Sequence, residues 1–182
     1  GSGNSFVDSA ASKAVTTNGD VSQTTAQFKF SSKSGVFDGT GDYLSLADSD
    51  DWNFGSGDFT IDCWVRFNGN SGSQVMIGHG GLHGISSVNG WEISYGWAAN
   101  RFIFYDFNGS ANLYLETTSW IPSLNTWYHI AVVRNGNTVT AYVDGTSIVS
   151  QTFTGSITNS TYALRIGSGY DGIYFLNGYL DE

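Results

Sequence analysis

The chain has 182 residues, in which 7 Lys and Arg stand against 16 Asp and Glu, so its formal charge is −9; only 13% of its residues are charged, about half of the usual share of roughly 25%. This length fits one domain with a sizeable core, but an acidic chain with so few cations lacks the basic surface that binds nucleic acid or anionic membranes. The apolar runs are far shorter than the roughly 20 residues of a membrane-spanning helix, and the single cysteine, Cys63, excludes an internal disulfide framework and a CxxC redox pair.

The first 25 residues are rich in Ser, Thr, Ala and Asn and predict a flexible segment or a loose edge strand, which leaves residues 26–182 as the folded domain. Beyond this segment, short strand patterns alternate with turn signals, and helical periodicity is almost absent. In chain order, strands are predicted at 35–37, 42–46, 59–67, 74–78, 91–95, 101–107, 112–117, 127–134, 138–143, 148–153, 162–167 and 178–182. Many short strands with almost no helix predict an all-β, antiparallel two-sheet sandwich or a barrel.

Two regions carry this prediction most clearly. Residues 59–67 alternate between an apolar face and a second face that holds Thr60, Asp62, Trp64 and Arg66. Residues 127–134 are nearly continuously apolar, as in a central strand that is covered on both sides. The Asn135-Gly136 and Asp144-Gly145 pairs that follow favour positive φ and therefore predict two tight hairpins.

Three blocks of this chain resemble the concanavalin A-like lectin/glucanase superfamily, and within it the laminin-G-like (pentraxin-like) domains. They are VFDGTGDYLSLADSDDWNFGSGDFTIDCWVRF at 36–67, NTWYHIAVVRNGNTVTAYVDG at 125–145 and LRIGSGYDGIYFLNGYLDE at 164–182. The resemblance covers residues 35–182 and implies a jelly-roll sandwich of two sheets. Because such domains usually continue their last strand beyond the Asp-Glu pair, we expect that the chain is cut from a longer protein before that strand ends. The alternative is that another chain completes the strand.

The sequence lacks the residue patterns that an enzyme of this fold would need. Glycosidases with this fold use paired carboxylates, which lie about 5 to 5.5 Å apart in retaining enzymes. The chain has only three Glu, at positions 92, 116 and 182, and Asp58 and Asp62 would stand about 13 Å apart along their strand. No Gly-x-Ser-x-Gly elbow is present either. We therefore predict no catalytic residues.

The resemblance also implies one structural Ca²⁺, held by an early loop and an Asp of the last strand. In this chain those positions are Asp38, Gly39 and Asp181, with backbone carbonyls and water completing the ligand set. The alternative is that Asp38 and Asp42 only shape a glycine-bracketed turn. The acidic run at 48–51 lacks the Gly and the terminal Glu of a calcium loop, so it predicts a capped turn.

Sugar recognition needs flat aromatic faces together with polar groups that bond hydroxyls, and this composition supplies both. The candidates lie in glycine-rich loops or beside them, and they are Trp97, Tyr105, Tyr170, Asp171, Tyr174 and His83. The alternative for the last loop is that its aromatic side chains merely fold over the sheet edge. His129 is expected to be a hydrogen-bonded structural residue, and the resemblance assigns Trp64 and Trp127 to packing.

These residues predict a non-catalytic binding or adhesion module that recognises a glycan or cell-surface polysaccharide. It would belong to a secreted, cell-surface or virion-surface protein and would bind neither nucleic acid nor membrane. One alternative is a structural spacer or decoration domain that contacts other chains of a fibre or particle. The other, a β-glucan hydrolase, is disfavoured by the missing carboxylate pair.

Overall fold

Two antiparallel sheets make up the protein in a computed structural model that describes residues 5–30, 32–81, 88–96, 100–109, 111–170 and 172–182. Within these residues the strands are β1 (Val15–Asn18), β2 (Ser22–Thr24), β3 (Ser34–Asp38), β4 (Tyr43–Leu46), β5 (Phe59–Phe67), β6 (Gln74–Gly80), β7 (Gly90–Gly96), β8 (Arg101–Phe107), β9 (Ala111–Glu116), β10 (Trp127–Asn135), β11 (Thr138–Val143), β12 (Thr146–Thr152), β13 (Leu164–Ile166) and β14 (Asn177–Asp181). A 3₁₀ turn at Asp50–Trp52 separates β4 from β5. No helix among the described residues has the length and hydrophobicity needed to cross a membrane.

Each sheet has seven strands. Sheet A has the order β1-β4-β13-β6-β7-β8-β9, and sheet B has the order β12-β11-β10-β5-β14-β3-β2. The predicted antiparallel sandwich of two sheets is therefore confirmed. The low-complexity start of the chain supplies the edge strands β1 and β2, one to each sheet. The predicted hairpin at Asp144 and Gly145 is a two-residue turn in which both residues have positive φ (50° and 76°).

The core lies between the sheets and follows the alternation that the sequence predicted. In β5 the inward residues Phe59, Ile61, Val65 and Phe67 are all buried. Ile130 and Val132 continue this layer from β10, which pairs with β5 along eight positions. Each fully buried side chain of this size stabilises the fold by about 1.5 to 3 kcal/mol relative to an exposed one.

Trp64 and Trp127, which the resemblance assigned to packing, lie outside this core. Both are half-buried on the outward face of sheet B, because they occupy the alternate positions of β5 and β10. There the ring of Trp64 contacts His129 at a centroid distance of 5.2 Å. As predicted, His129 is hydrogen-bonded, and its Nε2 lies 3.0 Å from Oδ2 of Asp62.

The register of β14 aligns the ends of two other strands. Gly178 lies opposite Phe37 of β3 on one side and opposite Phe67 of β5 on the other. A Cβ at Gly178 would collide with the backbone carbonyl of Arg66, so only glycine fits between the two strands. The loops that follow β3 and β5, and the loop that precedes β14, therefore meet at one end of sheet B.

Candidate ligand-binding groove

A groove of about 520 Å³ opens where these three loops meet, and we call it the β3–β4 groove. Its walls are the β3–β4 turn, the β5–β6 loop and the loop that leads into β14. Its lining residues are Asp38, Gly39, Thr40, Gly69, Ser71, Gly72, Ser73, Gln74, Tyr174, Phe175 and Asn177. The lining thus combines two aromatic side chains with hydroxyl, amide and carboxylate groups.

The β3–β4 turn forms the first wall and is built on Asp38. The backbone N–H of Thr40 donates to Oδ1 of Asp38 (2.6 Å), and the Thr40 hydroxyl lies 3.0 Å from each carboxylate oxygen. Such a bond from a side chain to the backbone two residues later is the typical way in which Asp shapes a turn. Gly39 has a φ of +90°, and a Cβ there would lie 3.1 Å from the Cβ of Asn177. Glycine therefore lets the turn approach the opposite wall.

Gln74 joins the other two walls. Its side chain is only 3% exposed, and its Nε2 donates to the carbonyl of Gly69 (2.8 Å). Its Oε1 accepts the backbone N–H of Asn177 (2.8 Å). The carbonyl of Asn177 in turn accepts the N–H of Asn68 (2.9 Å). These bonds fix the β5–β6 loop against the start of β14.

Tyr174 and Phe175 form the aromatic part of the third wall. Tyr174 has a φ of +59°, a left-handed conformation that a bulky residue rarely adopts. The conformation is held because the carbonyl of Tyr174 accepts the backbone N–H of Val75 (2.9 Å). Strain of this kind is concentrated at functional sites, where the surrounding structure supports it.

A cluster of three carboxylates adjoins the groove behind Asp38. Oxygens of Asp20, Asp38 and Asp42 lie within 4.8 Å of one another. Both oxygens of Asp42 accept backbone N–H groups, Oδ1 from Asp20 (2.8 Å) and Oδ2 from Asp38 (3.1 Å). Burial raises the pKa of Asp42 above its ordinary value, and the carboxylates of Asp20 and Asp38 add to this rise.

The donor set of this cluster suits a hard cation. Ca²⁺ takes six to eight oxygen ligands, mostly from carboxylates, backbone carbonyls and water. The cluster supplies three carboxylates. The carbonyl oxygen of Gly41 lies beside Asp42, because a Cβ built on Gly19 would collide with both, so a backbone oxygen is also close to the cluster. A cation would also offset the burial and the neighbouring carboxylates that raise the pKa of Asp42, because a nearby positive charge favours the ionised form.

Asp181, the third predicted calcium ligand, does not lie with Asp38. Asp38 pairs with Asn177 at one end of β14, whereas Asp181 is at the other end, about 13 Å away by strand rise. Its Oδ2 instead accepts the backbone N–H groups of Lys29 (2.6 Å) and Phe30 (2.8 Å). The cluster around Asp38 and Gly39 is therefore completed by Asp20 and Asp42 rather than by the last strand.

The predicted sugar-binding residues are divided among several places. Tyr174 lies in the groove, and Tyr170 lies in the same loop, where its ring contacts Tyr162 at a centroid distance of 4.4 Å. Tyr105 is only 6% exposed and lies on β8, where its ring packs on Phe107. The structure thus does not bring Tyr105 to the groove, and little of its surface is accessible to a ligand. Trp97, Asp171 and His83 lie outside the described residues.

Other aromatic residues near Tyr105 belong to the core. Four aromatic residues of the β7–β8 hairpin fill the space between the sheets, namely Trp91, Tyr95, Phe102 and Phe104. The structure also adds groove residues that the sequence did not single out, namely Thr40, Gln74 and Asn177. The signal for Thr40 was the Asp38-Gly39-Thr40-Gly41 turn. Gln74 and Asn177 are separated by about a hundred residues and become neighbours only through the register of β14.

The family of the chain follows from its sequence. The model of the concanavalin A-like lectin/glucanase superfamily matches residues 38–182, which is most of the chain. The chain belongs to this superfamily. The match begins at Asp38, so all the lining residues of the groove lie within the superfamily domain, whereas Asp20 of the carboxylate cluster lies before it. No curated protein is significantly similar to the chain in sequence.

Solved structures with the same fold include domain 4 of AbnA, an extracellular arabinanase from Geobacillus stearothermophilus, in complex with arabinotriose. It is 18% identical, with a TM-score of 0.69 over 96% of this chain and 82% of that one. The carbohydrate-binding module CBM66 from Bacillus subtilis is 15% identical, with a TM-score of 0.50 over 92% and 91%. An enzymatically active domain of a bacteriophage CBA120 tailspike is 12% identical, with a TM-score of 0.58 over 82% and 24%. At these identities, the superfamily sandwich is what the proteins share.

Proposed function

We propose that this superfamily domain is a non-catalytic carbohydrate-binding module and that it holds its glycan in the β3–β4 groove. The single observation that carries the proposal is the composition of that groove. Tyr174 and Phe175 offer flat apolar rings beside the hydroxyl of Thr40, the carboxylate of Asp38 and the amide of Asn177. A sugar presents apolar C–H faces and hydroxyl groups, so it is complementary to both kinds of surface.

The polar groups of the groove are held in place before any ligand arrives. Gln74 joins the second and third walls and the carboxylate of Asp38 holds the turn of the first wall, so a ligand need not order these loops. Pre-organised groups retain more of their interaction energy as affinity. The rigid sandwich with ligand-binding loops at one end is also the usual arrangement for recognition.

The comparisons add support from proteins of the same fold. One is domain 4 of an extracellular arabinanase in complex with arabinotriose, and another is a carbohydrate-binding module. By analogy, we propose that this chain also serves a secreted or surface-exposed protein and anchors it to a polysaccharide. Fold analogy alone does not establish a function, so the groove chemistry carries the weight.

We propose that the domain is not catalytic because of the exposure and hydrogen bonding of the carboxylates near the groove. A retaining glycosidase needs two carboxyl groups that both reach the scissile bond. Asp42 is only 2% exposed and both of its oxygens accept backbone N–H groups. Asp38 is exposed and lines the groove, whereas Asp20, whose carboxylate lies within 4.8 Å of that of Asp38, is exposed but is not among the described residues that line the groove.

A glycan array followed by affinity electrophoresis on the polysaccharides that it identifies tests this proposal. The Tyr174→Ala variant should lose binding by tenfold or more, because it removes one aromatic wall. Tyr142→Ala is the matched control, since Tyr142 is half-buried on β11 in the other part of sheet B. Both variants must retain the wild-type circular dichroism spectrum. Absence of binding to the whole array would contradict the proposal and favour the structural-spacer alternative.

We further propose that the cluster of Asp20, Asp38 and Asp42 holds one structural Ca²⁺, which would brace the first wall of the groove. Binding to the folded state alone stabilises a protein by about 2.7 kcal/mol at a ligand concentration of 100 times Kd. Excess CaCl₂ should therefore raise Tm, and EDTA should reverse the rise. Asp38→Asn should abolish this shift, whereas Asp50→Asn, which removes an exposed carboxylate of the 3₁₀ turn, should leave it unchanged. A Tm that is identical in calcium and in EDTA would refute the metal site.

A further inference from the structure

A row of aromatic side chains continues from the groove along the outward face of sheet A. Its members are Phe175, Tyr43, Tyr170 and Tyr162, with the guanidinium of Arg165 among them, and we call it the aromatic strip. Arg165 is the outward residue of β13, because its neighbours Leu164 and Ile166 face the core. Tyr43 lies on the same face of the adjacent strand β4, two positions from the partner of Arg165.

Each member of the strip contacts the next. The ring centroids of Phe175 and Tyr43 lie 6.5 Å apart, and Phe175 also lines the groove. The guanidinium carbon of Arg165 lies 4.7 Å from the centre of the Tyr43 ring and 5.8 Å from that of Tyr170. The ring of Tyr170 then contacts Tyr162 at 4.4 Å. The strip is therefore continuous with the groove.

The strip is also firmly held. Nη1 of Arg165 donates to the carbonyl of Gly169 (3.2 Å), and the N–H of Gly169 donates to the carbonyl of Ile173 (2.8 Å). The loop that carries Tyr170 is thus tied to the sheet at one end and closed on itself. All five side chains of the strip are half-buried, so part of each remains accessible to solvent.

We propose that the aromatic strip is a second subsite, so that the ligand is a stretch of neutral oligosaccharide longer than the groove alone would hold. This inference rests on the proposed glycan-binding function of the groove. Two observations favour a sugar chain over another occupant: the strip continues the groove through Phe175, and it offers the same aromatic chemistry. A chain that fills the groove would place its next units on Tyr43 and Tyr170.

The strip explains two features that core packing does not. Tyr170 and Tyr43 are both on the outward side of sheet A, where an aromatic ring gains no burial in the core. Arg165 is one of only seven cationic residues of the chain, and it lies between these rings rather than beside a described carboxylate. A rigid row of rings at the mouth of a polar groove is a surface on which successive sugar units can stack.

The dependence of affinity on ligand length tests the second subsite. We would measure by calorimetry the binding of linear arabino-oligosaccharides and xylo-oligosaccharides from the disaccharide to the hexasaccharide. In the wild type, affinity should rise with length beyond the units that the groove holds. Tyr170→Ala and Tyr43→Ala should each lower hexasaccharide affinity about five- to tenfold and leave disaccharide affinity unchanged. Tyr170→Phe, which keeps the ring, should retain the wild-type rise.

The outcomes separate the subsite from the groove. If the wild type binds oligosaccharides with no dependence on length, or if Tyr170→Ala weakens short and long ligands equally, the second subsite is refuted and the groove stands. If Tyr174→Ala loses binding at every length while the strip variants lose only the gain with length, both are supported. If the wild type binds none of these oligosaccharides and nothing on the glycan array, the proposed function fails and the subsite fails with it.

Discussion

Gln74 offers a direct test of whether the groove is built in advance, because one side chain holds two of its walls. Its amide donates to Gly69 and accepts from Asn177, at 2.8 Å in both cases. Gln74→Leu keeps a side chain of similar size and removes both bonds. It leaves the carbonyl of Gly69 and the N–H of Asn177 without these partners.

The size of the effect follows from burial. A buried polar group that loses its partner costs about 1 to 3 kcal/mol, and Gln74 is 3% exposed. Asn177 is half-buried, so water recovers part of its loss. We expect Gln74→Leu to lower the free energy of unfolding by about 2 to 4 kcal/mol. For a domain of this length, 1 kcal/mol corresponds to about 2 to 4 °C in Tm.

Urea unfolding monitored by tryptophan fluorescence measures this loss, and hydrogen exchange locates it. The amide of Asn177 should exchange faster in Gln74→Leu, while the amides of β10 and β11 should keep their protection at matched stability. Gln151→Leu is the control, because Gln151 is exposed on β12. If both variants unfold at the same urea concentration, Gln74 does not hold the walls and the pre-organised groove is refuted.

Gln74→Glu gives the same test a pH signature. An ionised carboxylate can accept from Asn177 but cannot donate to the carbonyl of Gly69, and burial opposes its charge. The pKa of the introduced carboxyl should therefore be raised in the folded state, and its protonated form restores the donor. A raised folded pKa means that the stability of this variant is greatest at low pH and is lost as the pH rises. Relative to wild type, Gln74→Glu should therefore recover on acidification, whereas Gln74→Leu should not.

Three further predictions concern buried polar groups. Burial lowers the pKa of His79 below 6.5 despite its bond to Asp48. The free energy of unfolding should therefore fall as the pH drops below about 6.5. In urea titrations, His79→Gln should reduce the dependence of stability on pH in this range. Arg134 is 2% exposed and donates to four backbone carbonyls. Arg134→Met should therefore lower the free energy of unfolding by about 3 to 5 kcal/mol. A loss below about 1 kcal/mol in chemical denaturation would contradict this expectation. Burial raises the pKa of the half-buried Cys63 thiol to about 12, so a thiol reagent at pH 8 should modify the native protein far more slowly than the urea-unfolded chain, and equal labelling rates would contradict this expectation.

Local patterning was enough to predict twelve of the fourteen described strands, and the other two, β1 and β2, lie in the segment that was predicted to be flexible or a loose edge strand. The alternation in residues 59–67 gave β5 with the same bounds and the same inward face that the structure has. The Asp144-Gly145 pair, which favours positive φ, likewise predicted the turn between β11 and β12. Both features depend on residues that are close in sequence, and so a single sequence contains the whole signal.

The groove depends on long-range register, which a single sequence does not contain. Asp38 was predicted as a ligand from a family pattern, but its neighbours Asp20 and Asp42 are brought to it by the pairing of β1 with β4 and by the turn after β3. Asp181 was placed there by the same pattern, yet β14 runs antiparallel to β3 and carries it to the opposite end. Trp64 shows the same limit, since alternation correctly placed it opposite the core face while the family pattern placed it in packing.

Many of the excess acidic residues cap backbone amides, and this role determines how the stability of the fold depends on pH and on salt. Several Asp carboxylates accept backbone N–H groups at turns and strand ends rather than pairing with cations. Asp8 accepts the amides of Ala10, Ala11 and Lys13, Asp181 accepts two amides, and Asp58 accepts the amide of Gly136. The backbone bonds from Lys13, Ala11 and Ala10 lower the pKa of Asp8, so this cap strengthens the fold above the ordinary pKa and is lost as the pH falls through the lowered one. Amide caps are short-range contacts that salt screens little, in contrast to surface ion pairs. A domain stabilised in this way should therefore have the same Tm at low and at high NaCl concentration, and it should lose stability in acid. A Tm that falls steeply as NaCl is added would show that ion pairs, rather than amide caps, provide the stabilisation by charged groups.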